Sequence, residues 1–453
     1  MDSNGKLKLY PFQLEGIEFL KTKKVALLAD DMGLGKTAQA IHAMKAIKAR
    51  KVLIVCPASV KYTWRYELKL WNFRSLKVQI VEGKFADIDR DAGVIIINYD
   101  LLSAPKIYHQ LISMIFSVGI FDESHYMKNR NAKRTKAVLF RGGIASRCVH
   151  KWFLTGTPVL NRPIELYPLL KATKPDAIYP FTSYSAYAKR YCSGFFDGYA
   201  YNDRGASNIP ELAEKLKASG FMLRRLKDEV LKDLPEKQFQ VLPVHLENLK
   251  YYESRDFTFK KGEVKRLKFQ DICGGDLGEI AALRHQLAID KFPTVKAHLK
   301  DLFEIKKKVV VFAHHRVLIR MINEAFGEMQ PAIVRGGMNA KEKYEEVERF
   351  QSDSNCRLFI GNIQAAGTGI TLTASDIAVF AEIDWVPGNI FQAVDRIHRI
   401  GQDRGVLIQF FVIEDSLEEY MLQAVVFKKH TIEKLIGDSD RIESLTPGAD
   451  LFK

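Results

Sequence analysis

Short apolar runs recur through the first third of the chain: VALLA (25–29), VLIVC (52–56), VIIIN (94–98), GIFDE (119–123) and WFLTG (152–156). Each is too short for a buried helix, and amphipathic stretches of helical length separate them. That rhythm predicts parallel strands buried on both faces, joined by crossover helices. It returns as VVVFA (309–313), AIVRG (332–336), RLFIG (357–361), IAVFAEI (377–383) and VLIQFFVI (406–413). Between the two sets, over roughly 171–290, the text turns aromatic, lysine-rich and helical, with Gly, Asn and Asp punctuation at 194–208 and Gly274-Gly275 farther on. The pattern therefore predicts an α/β chain with two parallel-sheet lobes flanked by helices. The first covers 1–232 with a helical insertion at about 171–221, a helical connector covers 233–290, and the second lobe covers 291–453, closed by a helix over 416–436.

Length agrees with more than one domain, since 453 residues exceed the roughly 150 expected of a single one. Apolar residues at 47% and charged residues at 27% are ordinary for a chain that buries a core. Lys and Arg number 68 against 54 Asp and Glu, a net charge of +14 that favours a polyanionic partner. The stretch KKGEVKRLK (260–268) is a candidate phosphate contact, though a solvated helix face is the commoner explanation of such a run. Cys56, Cys148, Cys192, Cys273 and Cys356 form no C-x-x-C pair and have no histidines at zinc-ligand spacing, so neither zinc nor a disulfide framework is expected. The uncharged stretch Leu111 to Phe121 is far short of the roughly 20 residues that span a bilayer. No signal peptide is read at the N-terminus, and no membrane partner is expected.

The chemistry begins after VALLA, where Asp30-Asp31-Met32-Gly33-Leu34-Gly35-Lys36-Thr37 leads into a helical pattern with Ile41, Met44 and Ile47. Gly33 and Gly35 let backbone N–H groups curl around phosphate, Lys36 brings positive charge to the β- and γ-phosphates, and Thr37 is placed to hold Mg²⁺. Asp30 stands where the strict phosphate-loop pattern has glycine, so the loop is a variant. About 85 residues on, GIFDE delivers Asp122 as a magnesium ligand and Glu123 as the general base for an attacking water. In the second half, Gln392-Ala-Val-Asp-Arg396-Ile-His-Arg399 would put Gln392, Arg396 and Arg399 on one helix face. Two arginines aimed together suit the charge that builds on a transferring γ-phosphate.

ADDMGLGKT, DESH, LTGTP, FMLRRLKDEV, AGTGITLTAS and QAVDRIHRIGQ occur in that order and together resemble the Swi/Snf-type ATPases of helicase superfamily two. YTWRYEL (62–68), TGTPVLNRPIELY (155–167), FAHHR (312–316) and VFAEIDWVPGN (379–389) look like the annealing-helicase branch, whose members act on forked or partly single-stranded DNA. The resemblance implies two RecA-like lobes and an enzyme that hydrolyses ATP with Mg²⁺. It matches Gln13 to an adenine-reading glutamine, Lys36 and Thr37 to phosphate and magnesium residues, Asp122 and Glu123 to the hydrolytic acids, and Arg396 and Arg399 to arginine fingers. With Asp31, Gly33, Gly35 and Gln392 these complete the expected ATP site. Ser59 and Thr157 match positions facing nucleic acid or coupling it to the ATP site, Gly367, Thr368 and Gly369 match the second lobe's strand-contacting loop, and Trp385 matches an aromatic near the DNA path, though a core residue at a strand end fits it equally.

The implied activity is translocation along double-stranded or forked DNA without sequence preference, with annealing, remodelling or displacement of DNA-bound proteins as its outcome. A strand-separating helicase and an ATP-gated clamp that does not move are the alternatives. No segment matching the family's annealing modules or histone readers is read, so a compact motor of bacterial or phage type is expected, working at DNA in the cytoplasm, or in the nucleus of a eukaryote.

Overall fold

The computed structural model describes residues 8–245 and 277–425, apart from 74–75, 157, 160–161, 197, 199–200, 368, 415 and 424. The chain divides into two compact units with the principal boundary between Leu234 and Pro235. In the first, β1 (Val25–Leu28), β2 (Val52–Cys56), β3 (Val78–Ile80), β4 (Val94–Asn98), β5 (Phe116–Asp122), β6 (Cys148–Leu154) and β9 (Met222–Leu223) form a parallel sheet in the order β3-β4-β2-β5-β6-β1-β9. Alternation along each strand feeds two cores. Leu27, Val55, Phe121 and Phe153 enter one, while Leu28, Ile54, Ile120 and Trp152 enter the other.

The five strands expected here form at or within a few residues of their apolar runs. Two short ones, β3 and β9, lack such runs and take their place by pairing, with their apolar side chains packed against the cores: β9 meets β1 with Leu27 opposite Met222 and Leu28 opposite Leu223. The insertion expected as helical carries the helices Tyr184–Tyr191 and Ile209–Ala218. It also holds an antiparallel pair, β7 (Phe195–Phe196) with β8 (Tyr201–Asn202).

The second unit holds β10 (Lys237–Val244), β11 (Val309–Ala313), β12 (Ala332–Val334), β13 (Leu358–Asn362), β14 (Ile377–Phe380) and β15 (Val406–Ile413), parallel in the order β10-β15-β14-β11-β13-β12. Here the helical connector needs correcting. Lys237–Val244 is a strand, paired over its whole length with β15. As an edge strand it buries only some of its side chains, so KQFQVLPV reads as a polar, helix-like stretch. The helices Leu277–Asp290 and Phe292–Ile305 follow, while the basic stretch 260–268, Cys273 and Gly274-Gly275 lie outside the described residues. Of the closing helix, residues 417–423 are helical and most of the remainder lies outside the described residues. Its start is fixed by a buried ion pair, Lys291 to Glu418 at 2.5 Å. Among the described residues no helix is long and apolar enough to cross a membrane.

Candidate active site

The phosphate loop leaves the carboxyl end of β1 and enters the helix Lys36–Ala46 through Gly35, whose φ of 73° is left-handed. The left-handed backbone favours glycine there, and a Cβ would lie 2.4 Å from Gln13 Nε2 and displace that amide. Gln13, buried near the start of the helix Pro11–Thr22, accepts from the Tyr10 N–H at 3.0 Å and donates to the Leu34 carbonyl at 3.1 Å. The glutamine matched to base reading is thus bonded directly to the phosphate loop. Lys36 Nζ reaches back over the loop to the carbonyls of Asp30 at 2.7 Å and Asp31 at 3.0 Å. Burial lowers its pKa, and the carboxylates of Glu123, Asp30, Asp31 and Asp122 pull the other way. Thr37 follows it in the first turn of the helix, where unpaired N–H groups favour anions.

The departure from the glycine pattern at Asp30 has a structural reason. Asp30 is wholly buried and forked to Arg225, with Oδ1 accepting from Nε at 3.0 Å and Oδ2 from an η nitrogen at 2.5 Å. Gln39 donates to the same Asp30 Oδ2 at 3.1 Å, and Arg225 donates to Gln39 Oε1 at 3.1 Å and to the Phe12 carbonyl. Beside this pair, Arg224 donates to the Ala29 carbonyl at 2.8 Å and lies 3.4 Å from the Asp31 carboxylate, whose other oxygen accepts from the Lys227 N–H at 3.3 Å. Two consecutive aspartates that would repel a triphosphate are neutralised by two consecutive arginines from FMLRRLKDEV. The Asp31 side chain, expected among the cofactor-binding groups, is held by this segment. The sequence signal for it was present as matching Asp-Asp and Arg-Arg doublets.

Asp122 and Glu123 end β5, one strand removed from β1 with β6 between them. Crevices outside the carboxyl ends of such strands are where α/β sheets bind ligands. Glu123 adopts φ 50°, a left-handed conformation that costs a side-chain-bearing residue energy and is concentrated at functional sites. Its Oε2 is 3.2 Å from His125 Nδ1, which is 3.1 Å from Thr155 Oγ1, so His125 links the acid to the LTGTP segment. Asp122 Oδ1 accepts the Glu123 N–H at 3.0 Å and Oδ2 the indole N–H of Trp64 at 2.8 Å, while Tyr99 donates to the Asp122 carbonyl at 2.8 Å. Burial raises the Asp122 pKa to about 6, helped by the Glu123 charge and opposed by Trp64 and Lys36. Sequence reasoning gave no role to Trp64, His125 or Tyr99.

The Asp122 carboxylate and Thr37 hydroxyl are hard oxygen donors, a set that suits Mg²⁺ when phosphates and waters complete its octahedron. Among the described residues no group of three or more His, Cys, Asp or Glu is placed to hold a metal by itself.

In the second unit the shared helix face needs correcting. The helix Pro387–Val394 carries buried Gln392 but ends before both arginines, which sit in the turns that follow. The Arg396 carbonyl accepts the Leu372 N–H at 2.8 Å, and the Arg396 and Ile397 N–H groups bond to Ala393 and Val394, so the backbone tightens and leaves the helix. Arg396 is buried, its Nε donating to the Gln392 carbonyl at 3.0 Å, and Arg399 donates to the Ile370 carbonyl at 3.2 Å and Thr371 Oγ1 at 2.9 Å. Gly367 ends the short helix Ile363–Ala366, and Gly369 has a φ of 71°. Arg399 therefore braces the loop matched to nucleic-acid contact. Glu382, next to the Trp385 segment, accepts from the N–H groups of His314 and His315 at 2.8 Å each and lies 2.5 Å from His315 Nδ1. Trp385 is half-buried against the core and edge-on to Tyr420, with ring centroids 6.2 Å apart. Ser59 is half-buried in the turn Ala58–Val60, and Thr157 and Thr368 lie outside the described residues.

Residues 12–286 match the SNF2-related domain and residues 290–401 the helicase conserved C-terminal domain. The human DNA annealing helicase and endonuclease ZRANB3 is 37% identical over 429 residues, covering 91% of this chain and 39% of the relative. A Caenorhabditis elegans homologue of the SWI/SNF-related matrix-associated actin-dependent regulator of chromatin subfamily A-like protein 1 is 32% identical over 459 residues, covering 97% of this chain and 64% of that protein. The chain thus spans about two-fifths of the human relative. Among solved structures, the Sulfolobus solfataricus SWI2/SNF2 ATPase core in complex with dsDNA aligns with a TM-score of 0.45 and 23% identity, covering 96% of this chain and 94% of that one.

Proposed function

The chain belongs to the SNF2-related family of helicase-like ATPases, and we propose that it couples ATP hydrolysis to movement along double-stranded or forked DNA, with annealing or remodelling of DNA as the outcome. The observation that carries this reading is the end of β5, where a strained Glu123 and a half-buried Asp122 stand in the same unit as a lysine-bearing phosphate loop. In the proposal Lys36 and the loop N–H groups hold the phosphates, Thr37 and Asp122 hold Mg²⁺, and Glu123 takes the proton of the attacking water. Arg396 and Arg399 supply the positive charge that the transition state requires. Mg²⁺, when bound, neutralises phosphate charge.

The DNA half of the proposal draws on the chain-long similarity to relatives whose names state DNA annealing, and on the surplus of basic residues. Ser59, Thr157, Gly367, Thr368, Gly369 and Trp385 are the proposed contacts. Phosphate contact without base reading makes binding salt-dependent and indifferent to sequence. The test is ATP hydrolysis against duplex, forked and single-stranded DNA and against RNA, with displacement of a third strand from a triplex as the measure of movement. Stimulation by duplex or fork together with triplex displacement supports the proposal. Preference for a single strand would replace it with a strand-separating helicase, and slow hydrolysis without displacement with a clamp.

A further inference from the structure

We propose that Trp64 is a positioning residue for magnesium-dependent ATP turnover, its indole N–H setting the orientation of the Asp122 carboxylate. The inference rests on the reading of Asp122 as a magnesium ligand. Trp64 lies in the helix Lys61–Leu70, is 1% exposed, and packs its ring in the core on that face of the first sheet with Leu68, Ile54 and Ile96. An indole nitrogen can only donate, and this one meets a carboxylate oxygen at 2.8 Å. The opposite Asp122 oxygen takes the Glu123 N–H, so the two donors together leave the carboxylate one orientation while each oxygen keeps a lone pair for a cation. Without Trp64, the repulsion from Glu123 and the cost of burial act on a carboxylate with one donor fewer. YTWRYEL thereby gains a role at the ATP site. The helix Lys61–Leu70 that carries it begins two residues after Ser59, which places the donor on the element that leads out of a proposed DNA-facing turn.

The experiment compares Trp64→Phe, Tyr99→Phe and Asp122→Asn in the full chain, measuring fluorescent ATP-analogue binding in EDTA and across a magnesium titration, alongside steady-state turnover. Tyr99 donates to the carbonyl of the same residue and not to its carboxylate, so it controls for the loss of a nearby buried hydrogen bond. Trp64→Phe is expected to raise half-saturating magnesium by about tenfold, the scale of a hydrogen bond to a charged group, with EDTA affinity within about twofold of wild type. Turnover should recover at high magnesium. Tyr99→Phe should leave magnesium half-saturation within about twofold.

A Trp64→Phe protein that folds and keeps wild-type magnesium dependence, while Asp122→Asn loses it, would overturn the proposal. Wild-type dependence in Asp122→Asn would instead remove the reading beneath it. A readout independent of any variant is the indole N–H spectrum of the ¹⁵N-labelled wild type, which has four tryptophans. One indole signal should shift when magnesium is added to the nucleotide complex, and no shift in any of the four overturns the proposal.

Discussion

In the first unit the side chains assigned to phosphate and hydrolysis lie at the end of a buried strand or in the loop and first helical turn that follow it, whereas in the second the assigned arginines come after a helix that stops short of them. The first arrangement is fixed locally, because strand ends and a left-handed glycine dictate where Lys36 and Asp122 lie. The second is fixed by distant partners in the turn 370–372, where the Leu372 N–H donates to the Arg396 carbonyl and the Ile370 carbonyl and Thr371 hydroxyl accept from Arg399. A site built the first way should fail completely when a charged group is removed and otherwise keep its shape. One built the second way should fail partially and carry its loop along.

The largest effects are therefore expected in the first unit. Lys36→Ala should abolish ATP hydrolysis, a loss of roughly 10³-fold or more, because the ammonium that reaches across the phosphate loop to the Asp30 and Asp31 carbonyls disappears. Activity within about twofold of wild type would remove the phosphate-loop assignment. Glu123→Gln should retain nucleotide affinity and lose turnover by a comparable factor, since the amide is nearly isosteric but cannot accept the proton. If affinity falls with turnover, Glu123 serves the fold through His125 and Thr155 instead.

These contrasts also explain what could be read from sequence. Runs such as VIIIN and VVVFA are buried end to end, so their identity as strands is a local property. β10 is not legible as a strand, because an edge strand with one poorly buried face carries polar residues that look helical. The site divides in the same way: GLGKT and the Asp-Glu pair are contiguous and legible, but the partners of Asp30 come from Arg225, 195 positions away. Helical periodicity predicts one face for Gln392, Arg396 and Arg399 only while the helix lasts, and the Leu372 N–H that helps to end it comes from another segment.

Next in size are the arginines. Arg396→Ala and Arg399→Ala should each lower DNA-stimulated kcat by about 10²-fold or more. They should differ in DNA binding. The Arg396 side chain bonds the backbone of the helix that precedes it, so its loss should leave DNA affinity nearly unchanged, whereas Arg399→Ala releases the Ile370–Thr371 turn beside Gly369 and should weaken binding as well. Equal binding by the two variants in a salt titration would mean that Arg399 does not brace that loop.

A smaller loss of function with a clear loss of stability is expected from Arg225→Gln. Removing one partner of a buried ion pair leaves the other charged and unpaired, at a cost of about 3–5 kcal/mol. For a unit of this size that corresponds to a melting temperature lower by roughly 10 °C. Adding Asp30→Asn should recover part of the loss, because the stranded carboxylate is then gone. No recovery in calorimetry would show that the other Arg225 contacts, to Gln39 and the Phe12 carbonyl, dominate.

The smallest effect contrasts two acids, one half-buried and one buried, whose environments act in opposite directions. Asp122 is raised to about 6 by burial and the neighbouring Glu123, whereas Glu382 is held at about 2, where hydrogen bonds from His315 and the charge of Lys291 outweigh its burial. A carboxyl raised by folding is more stable protonated, so the Asp122 site should gain stability as pH falls from about 6 toward the ordinary carboxylate range near 4. A carboxyl lowered by folding contributes its full stability above its ordinary range and loses it as pH falls from there toward about 2, so Glu382 should change stability mainly below the window where Asp122 titrates and with the opposite sign. Magnesium needs the ionised carboxylate, and its apparent affinity for the wild-type nucleotide complex should therefore weaken about twofold at pH 6 and more steeply below. Thermal melts of wild type and Asp122→Asn without nucleotide across pH 7 to 4 isolate the stability contribution, because groups common to both cancel. A wild-type-minus-variant difference that rises with pH in that window would mean that the Asp122 carboxylate is favoured by its site, and that Trp64 and Lys36 together outweigh the burial and the charge of Glu123.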